Sequence, residues 1–454
     1  MCHEQTLSRR GALKAGIGSL ASLVTLPPVL RGLTFQPTDT YVDAAHRVRE
    51  WLKATALRGP HGLTWAANPL DLKTESYDLY NGMPGVVLFL LEYAHATGDR
   101  QALADAASAA DTIVHVVANT PVEKLGTGLY VGASGLAYVL RETWLATDNP
   151  KYRAAALGAL KLVQDAAKPV GDGVEWSATT DIISGNAGTG LTLLAFSDRL
   201  GDDSLLDLAR RAARRAAALG IAEHGGLKWA MNPTFARRMP NFSHGTAGVA
   251  YFLATVAERS RDDQLRDVAA QGAAYLRNVG TRTERDGWKV FHSEPGNESL
   301  YYLSWCHGPA GTARLYRRLG LNAKYAAHDR EVARLARGIV DSGVPERSPG
   351  YWNNISQCCG NCGIVEFFTA LHRHTRNQEY LTFAKRVMDD VMSRATEDGR
   401  GLKWIQAEHR VQPQLLIAQT GLMQGAAGVG LALLHLDGAT AGRANRITLP
   451  DDPW

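Results

Sequence analysis

A short glycine motif, Gly-x-x-Gly, occurs seven times along the chain, and each copy leads into a run of apolar residues. Successive copies begin between 50 and 65 residues apart. Self-similarity at such a period predicts a repeated structural unit that cannot bury its apolar surface alone. The first glycines of the seven copies are Gly82, Gly132, Gly185, Gly245, Gly308, Gly360 and Gly425.

The runs that follow the glycines are apolar on every side, which predicts helices buried all round; residues 249–253, for example, are Val-Ala-Tyr-Phe-Leu. Between them lie amphipathic stretches rich in Ala and Arg, such as 205–218 and 264–279, which predict helices with one solvated face. Seven inner helices alternating with about seven outer ones predict an all-α fold, an (α/α) toroid whose glycine turns gather at one mouth. An open helical solenoid is the alternative.

A second motif, Gly-x-x-Trp, recurs in the loops before several of the inner helices. It predicts short strand-like insertions whose tryptophans pack under the ring, with a substrate-stacking surface as the alternative. The four copies end at Trp65, Trp176, Trp229 and Trp404.

The N-terminus carries most of the net charge. The 454-residue chain has a formal charge of +4, and residues 1–32 hold four basic residues against one acidic residue, +3, which leaves about +1 for the rest. That remainder is too small for a nucleic-acid-binding surface, so no nucleic-acid partner is expected. Arg9 and Arg10 precede sixteen uncharged residues, 15–30, a pattern that resembles a twin-arginine export signal.

We therefore predict a signal segment at 1–32 and a toroid domain at 40–454. The signal predicts export to the periplasm or the exterior, with membrane contact if the segment stays uncleaved; a basic N-terminus on a cytoplasmic protein is the alternative. Beyond this segment the sequence has no run of about 18 apolar residues, so the body is expected to be soluble.

Four of the five cysteines lie within 57 residues, which indicates metal or redox chemistry. Cys306 comes two residues before Gly308, while Cys358 and Cys359 directly precede Gly360. Since adjacent repeats of a toroid place equivalent turns side by side, these three thiols are expected to converge. Three thiolates suit Zn²⁺ and leave a fourth position for water or substrate, as in catalytic zinc sites.

Two alternatives concern the same cysteines. Cys362 as a fourth ligand would close the site and make it structural, although alanine fills its position in four other repeats, which favours helix packing. A redox pair of Cys358 and Cys359 would leave Cys306 unexplained.

His244 and Asp181 are the candidate general acid–base residues. His244 directly precedes Gly245, and Asp181 lies four residues before Gly185, so both are expected at the same mouth. His307 is a second imidazole beside a candidate ligand, expected to face substrate or support the site.

These motifs together resemble the LanC-like family of zinc-dependent lanthionine cyclases, from about residue 42 to residue 436. The resemblance rests on 304–311 (Ser-Trp-Cys-His-Gly-Pro-Ala-Gly), 358–360 (Cys-Cys-Gly), 243–248 (Ser-His-Gly-Thr-Ala-Gly) and Asp181. It implies zinc ligands Cys306, Cys358 and Cys359, the last standing where most members have histidine. Tyr302 stands where many members have arginine.

The resemblance implies that a peptide cysteine thiolate adds to dehydroalanine or dehydrobutyrine to form a thioether ring, with His244 and Asp181 handling protons. The substrate would be a dehydrated precursor peptide supplied by a separate dehydratase. Two other functions stay open: addition of a small thiol such as glutathione to electrophiles, and a non-enzymatic zinc toroid that binds peptides. A carbohydrate-active α/α barrel gains nothing from the thiolates.

Overall fold

The computed structural model describes residues 40–235, 239–290, 300–346, 348–408 and 410–454. The signal predicted at 1–32 lies outside these residues. Within them, seven inner helices each begin at one of the glycine motifs. They are α2 (Met83–Thr97), α5 (Ala133–Thr147), α7 (Asn186–Leu200), α9 (Thr246–Ser260), α11 (Pro309–Gly320), α13 (Asn361–Thr375) and α15 (Ala426–Ala441).

Seven outer helices alternate with the inner ones and keep one solvated face. They are α1 (Tyr41–Thr55), α3 (Arg100–Asn119), α6 (Pro150–Asp165), α8 (Asp203–Ala218), α10 (Asp263–Val279), α12 (Asp329–Asp341) and α14 (Gln378–Ser393). A single-turn helix, α4 (Val122–Leu125), and a 3-10 helix, Ala323–His328, complete the helical part. In the part of the chain that the structure describes, no helix has the length and apolarity needed to cross a bilayer.

The ring is closed. Each inner helix packs against the next, and α15 returns to α2. The first helix, α1, packs on α15, so the N-terminal helix supplies the outer layer of the last repeat. The prediction of an all-α toroid is therefore confirmed, and the open solenoid is excluded.

Sixteen short strands in the described residues form eight two-stranded sheets in the loops. Seven pairs are antiparallel, and the pair β11–β12 is parallel. The pairs are β1 (Leu57–Gly59) with β2 (Gly62–Thr64), β3 (Ala66–Asn68) with β4 (Asp71–Glu75), β5 (Lys168–Val170) with β6 (Gly173–Glu175), β7 (Ile221–Glu223) with β8 (Gly226–Lys228), β9 (Thr281–Arg282) with β10 (Trp288–Lys289), β11 (Tyr301–Tyr302) with β12 (Tyr351–Trp352), β13 (Thr396–Glu397) with β14 (Leu402–Lys403), and β15 (Gln406–Ala407) with β16 (Leu416–Ile417).

The tryptophans of the Gly-x-x-Trp motifs are buried and have a packing role. Each indole N–H donates, at 2.7 Å, to a backbone carbonyl thirteen residues earlier, near the end of an outer helix. Because the last carbonyls of a helix have no partner within it, this bond satisfies one of them. The substrate-stacking alternative is not supported.

A circle of backbone hydrogen bonds joins the seven glycine turns at the mouth. In six turns the residue two before the first glycine donates its N–H to the neighbouring turn, and Ile182 does so in the seventh, with N···O distances of 2.9–3.2 Å. These bonds fix the relative height of the turns, so side chains from distant repeats are held at one level. The positions joined are Tyr80, Tyr130, Ile183, Ser243, Cys306, Cys358 and Met423.

The C-terminal segment, 443–454, lies inside the ring. The Glu92 carboxylate of α2 accepts the backbone N–H groups of Arg446 and Ile447 at 2.9 and 2.7 Å. Further along, the buried carboxylate of Asp451 accepts hydrogen bonds from the Tyr130 hydroxyl and the Trp305 indole, at 3.0 and 2.9 Å. The segment therefore reaches the underside of the mouth turns.

Candidate functional site

Three thiols converge at the mouth, as the sequence predicts. The Sγ atoms of Cys306, Cys358 and Cys359 all lie within 4.8 Å of one another, and all three residues are buried. The Cys306–Cys359 and Cys358–Cys359 sulfur separations are 3.2 and 3.4 Å. The backbone bond from the Cys306 N–H to the Cys358 carbonyl, at 3.0 Å, brings the two turns together across 52 residues of sequence.

The donor set fits a single soft metal ion. Because a Zn–S bond is about 2.3 Å, two thiolates on one zinc lie at most about 4.6 Å apart. The two sulfur separations given above meet that limit, and thiolates are preferred ligands of zinc. None of the four described cysteines is in a disulfide, so Cys358 and Cys359 are not joined as a vicinal pair. The cluster can therefore bind a metal.

The protonation preferences of Cys358 and Cys362 differ. Burial by itself raises the pKa of the Cys358 thiol, but hydrogen bonds from the other two thiols and Tyr80, together with the charge of His244, outweigh it and hold that pKa well below its usual value. Burial and the Glu366 carboxylate raise the pKa of the Cys362 thiol. Cys362 does not belong to the three-thiol group found among the described residues, which argues against a closed four-sulfur site.

His244 and Asp181 form a hydrogen-bonded, partly buried pair on the turns next to the cysteines. His244 Nδ1 lies 2.6 Å from Asp181 Oδ2, and the Asp181 side chain is fully buried while that of His244 is 12% exposed. Asp181 Oδ1 accepts the backbone N–H of Ser184 at 2.8 Å, which fixes the carboxylate. The Ser243 N–H donates to the Cys306 carbonyl at 2.9 Å, so the histidine turn is bonded directly to a cysteine turn.

The His307 ring lies close to the rings of both His244 and Tyr302. Its ring centroid is 6.0 Å from that of His244 and 5.0 Å from that of Tyr302. Its Nδ1 atom is 2.7 Å from the Asn241 amide nitrogen. Burial and the nearby Cys359 and Cys306 sulfurs raise the pKa of Tyr302, so its hydroxyl keeps its proton.

Two residues of the site were missed by sequence reasoning. The Tyr80 hydroxyl donates to Cys358 Sγ at 2.9 Å and accepts from the Gln424 amide at 3.1 Å. Tyr80 lies two residues before a repeat glycine, as Cys306 and Cys358 do. Its position in the repeat could therefore have identified it as a site residue. The second is Arg410, which hydrogen-bonds Tyr302 from the loop between β15 and β16; no motif marks this residue.

Comparison with known proteins gives a family and a fold. A family model described as lanthionine synthetase C-like protein matches residues 73–443. Among solved structures, nisin cyclase is similar with a TM-score of 0.62 and 17% identity, covering 89% of this chain and 94% of that chain. No curated protein matches the sequence.

Two further solved structures are similar to a lower degree. An unsaturated glucuronyl hydrolase specific for heparin has a TM-score of 0.49 at 11% identity, covering 90% of this chain and 99% of that one. The alpha-1,6-mannanase from Salegentibacter sp. HEL1_6 has a TM-score of 0.47 at 13% identity, with coverages of 88% and 99%. Similarity at this level carries no argument about function.

Proposed function

This chain belongs to the lanthionine synthetase C-like family, and from that premise we propose that it is a zinc-dependent lanthionine cyclase. In this proposal a cysteine thiolate of a peptide adds to the β-carbon of a dehydroalanine or dehydrobutyrine in the same peptide. A carbon–sulfur bond forms, the carbon–carbon double bond is lost, and the α-carbon takes up a proton. The product is a thioether ring.

The observation that carries the proposal is the pairing of two groups at one mouth. Three buried thiols suited to a metal lie beside a histidine whose Nδ1 is held by a buried carboxylate. Bound by Cys306, Cys358 and Cys359, zinc would supply positive charge that lowers the pKa of a substrate thiol. Cys362 stays outside the cluster, which is consistent with a fourth position available to substrate.

The residues of the chain provide the proton chemistry. Asp181 fixes the His244 ring through Nδ1 and stabilises its imidazolium form, which leaves Nε2 to exchange a proton with substrate. We assign His244 the protonation of the α-carbon and Asp181 the support of that proton. The positive N-terminal ends of the inner helices converge at this mouth and favour the negative charge that develops on the enolate.

His244→Gln is expected to lower cyclisation of a dehydrated peptide by about 10²–10⁴-fold, because the proton donor is lost. Its zinc content should stay at that of the unmodified protein, since His244 is not among the three thiols. Cyclisation leaves the peptide mass unchanged, so it is measured as loss of thiol alkylation by mass spectrometry. Cys362→Ser is the matched control and should keep both zinc and activity.

Three results would contradict this proposal: no zinc in the purified protein, four protein sulfurs on zinc that fall to three in Cys362→Ser, or full activity in His244→Gln. Glutathione offered with the same dehydrated peptide tests the small-thiol alternative, which predicts a mass increase instead of a ring. A separate dehydratase as partner, and export directed by residues 1–32, remain predictions from the sequence.

A further inference from the structure

A pocket of about 290 Å³ is lined in part by the segments that lead into Cys306 and Cys358. Its walls come from the segments before Cys306 and Cys358, the strands β15 and β16, the residues that follow α12, and Arg394. We call it the side pocket. Its apolar lining includes Leu303, Val344, Trp352, Ile355, Ile405 and Leu416.

Chain connectivity limits how far the side pocket is from the thiols. Leu303 is three residues before Cys306, and Ile355 is three residues before Cys358. Three residues of extended chain span at most about 11 Å. The Cα atoms of these two lining residues therefore lie within about 11 Å of those of Cys306 and Cys358, a distance that three residues of an extended peptide also span.

The charged groups of the side pocket are already paired. Glu346 accepts from Arg386 at 2.8 Å, and Arg394 donates to Asp390 at 2.8 Å. Glu346 and Arg394 are the charged groups among the described residues of the lining, and these pairs satisfy both charges without an ionic side chain from a ligand.

Two of the three amides that the described residues place in the side pocket, Gln406 and Asn354, are engaged at both ends, while Asn353 donates to Asn361 and leaves its Oδ1 without a partner. Gln406 accepts the backbone N–H of Ile355 at 2.8 Å and donates to the Gln424 carbonyl at 2.7 Å. Asn354 accepts the Ser356 N–H at 3.0 Å. What the side pocket presents to a ligand is therefore mainly apolar surface.

The rim of the side pocket keeps large apolar side chains in solvent. Ile405 is 49% exposed and Leu416 is 59% exposed. Exposed apolar groups that border a cavity are a common feature of binding sites. The volume is just below the range of about 300–1,000 Å³ typical of small-molecule sites, so it suits one side chain better than a whole tripeptide thiol.

We propose that the side pocket binds an apolar side chain, aliphatic or aromatic, of the substrate peptide, one to three residues from the reacting cysteine. The inference rests on the proposed cyclase function and names a determinant of its peptide specificity. Binding there holds the peptide in one direction across the mouth, so it selects which cysteine of a precursor reaches the thiol cluster.

The test measures peptide binding to the full-length, zinc-loaded protein. Each fluorescently labelled peptide contains one cysteine and no dehydrated residue. The peptides of the series carry Leu, Phe, Ala or Asp at each of the three positions on either side of that cysteine. At one position Leu and Phe are expected to bind about tenfold more tightly than Ala or Asp, since part of an apolar side chain is removed from water. Equal affinities at every position would overturn the proposal.

Two adjacent leucines provide the matched variants. Leu416 lines the side pocket, whereas Leu415, which is 48% exposed, does not. Leu416→Asp is expected to remove the tenfold preference for Leu and Phe, while Leu415→Asp keeps it. Ala407→Phe, which fills the cavity from β15, should act like Leu416→Asp. Loss of the preference in both leucine variants, or in neither, would overturn the proposal.

Cyclisation assays on the same peptides, with a dehydroalanine added, separate this inference from the function. If rings form at the same rate whatever the flanking residue, the side-pocket proposal is overturned but the proposed cyclase function is supported. If the binding preference is lost in Leu416→Asp but no peptide forms a ring, the side pocket is a peptide-binding site and the cyclase function is overturned.

Discussion

The two histidines at the mouth differ in the partner of their Nδ1 atoms. His244 contacts the buried Asp181 carboxylate, which stabilises an imidazolium, whereas His307 contacts the neutral Asn241 amide, which does not. Both directly precede a repeat glycine, so sequence position alone does not distinguish them. Because of its carboxylate partner, we propose His244, and not His307, as the proton carrier.

A third histidine stabilises the fold in a way that depends on pH. His435 of α15 lies with Nδ1 2.9 Å from the Glu366 carboxylate, and its Nε2 is 3.8 Å from Glu92. Burial alone would lower its pKa, but the two carboxylates outweigh burial and raise the pKa of His435 to about 10. The cation therefore joins α15 to α13 and α2.

His435→Gln is expected to lower the free energy of unfolding most at pH 6.5 and below, and progressively less as the pH approaches 10. The folded-state pKa lies above the unfolded value, so the stabilisation is complete below the unfolded pKa and is lost as pH rises through the folded one. Urea unfolding of both proteins at pH 6.5, 8 and 10 measures the difference. A difference independent of pH would mean that the imidazole acts by packing alone.

At the scale of single elements, the second glycine in six of the seven motifs allows an inner helix to begin against the turn before it, and Gly85 instead lies against Leu422 of the neighbouring repeat. A Cβ on Gly311 would lie 1.8 Å from the Trp305 carbonyl oxygen, and one on Gly248 would lie 2.0 Å from that of Phe242. Backbone atoms cannot yield to such contacts as a flexible side chain can. The motif thus sets the distance between a helix start and the turn that carries a cysteine or histidine.

Gly311→Ala is expected to lower the free energy of unfolding by about 3 kcal/mol or more, because the new methyl group meets backbone next to Cys306. Gly158→Ala is the matched control, since a Cβ there meets no atom within 4 Å on the exposed face of α6. That variant should be more stable by about 0.5–1 kcal/mol, as Ala in a helix usually is relative to Gly. Chemical unfolding compares the two, and similar effects would contradict the role given to the motif.

At the scale of the whole molecule, α1 and the C-terminal segment pack on the closed ring of inner helices. The N-terminal helix α1 covers α15, and the C-terminal segment fills the interior below the mouth. Asp451 holds Trp305, whose ring packs edge-on against Tyr130 and Phe242 at centroid distances of 5.0 and 5.8 Å. Since Trp305 precedes Cys306 and Phe242 lies two residues before His244, this carboxylate supports both halves of the site.

A chain ending at Pro450 is expected to lose about 3–5 kcal/mol of stability, because Arg314 keeps its buried charge but loses the Asp451 and Asp452 carboxylates 3.7 Å away. Its zinc should also be bound more weakly, since Trp305 no longer fixes the Cys306 turn. A chain ending at Asp452 retains both carboxylates and serves as the control. Thermal unfolding and competition with a zinc chelator measure the two effects, and equal behaviour of the two truncations would refute this role.

The sequence by itself determined the ring of repeats and the cysteines that meet. Periodic glycines and apolar runs are local patterns, and the identical register of Cys306 and Cys358 placed them in neighbouring turns. It also indicated His244 and Asp181, because both lie near repeat glycines. The family follows from the same motifs, since residues 73–443 match its model.

Only the tertiary structure decided which remote groups surround those residues. Tyr80 reaches Cys358 across 278 residues, and Asp451 reaches Trp305 across 146. Arg410 approaches Tyr302 from a loop that no repeat predicts. Such contacts arise when the ring closes and its ends pack into place, and burial then selects hydrogen-bond partners by proximity. The local periodicity of the sequence does not predict these contacts.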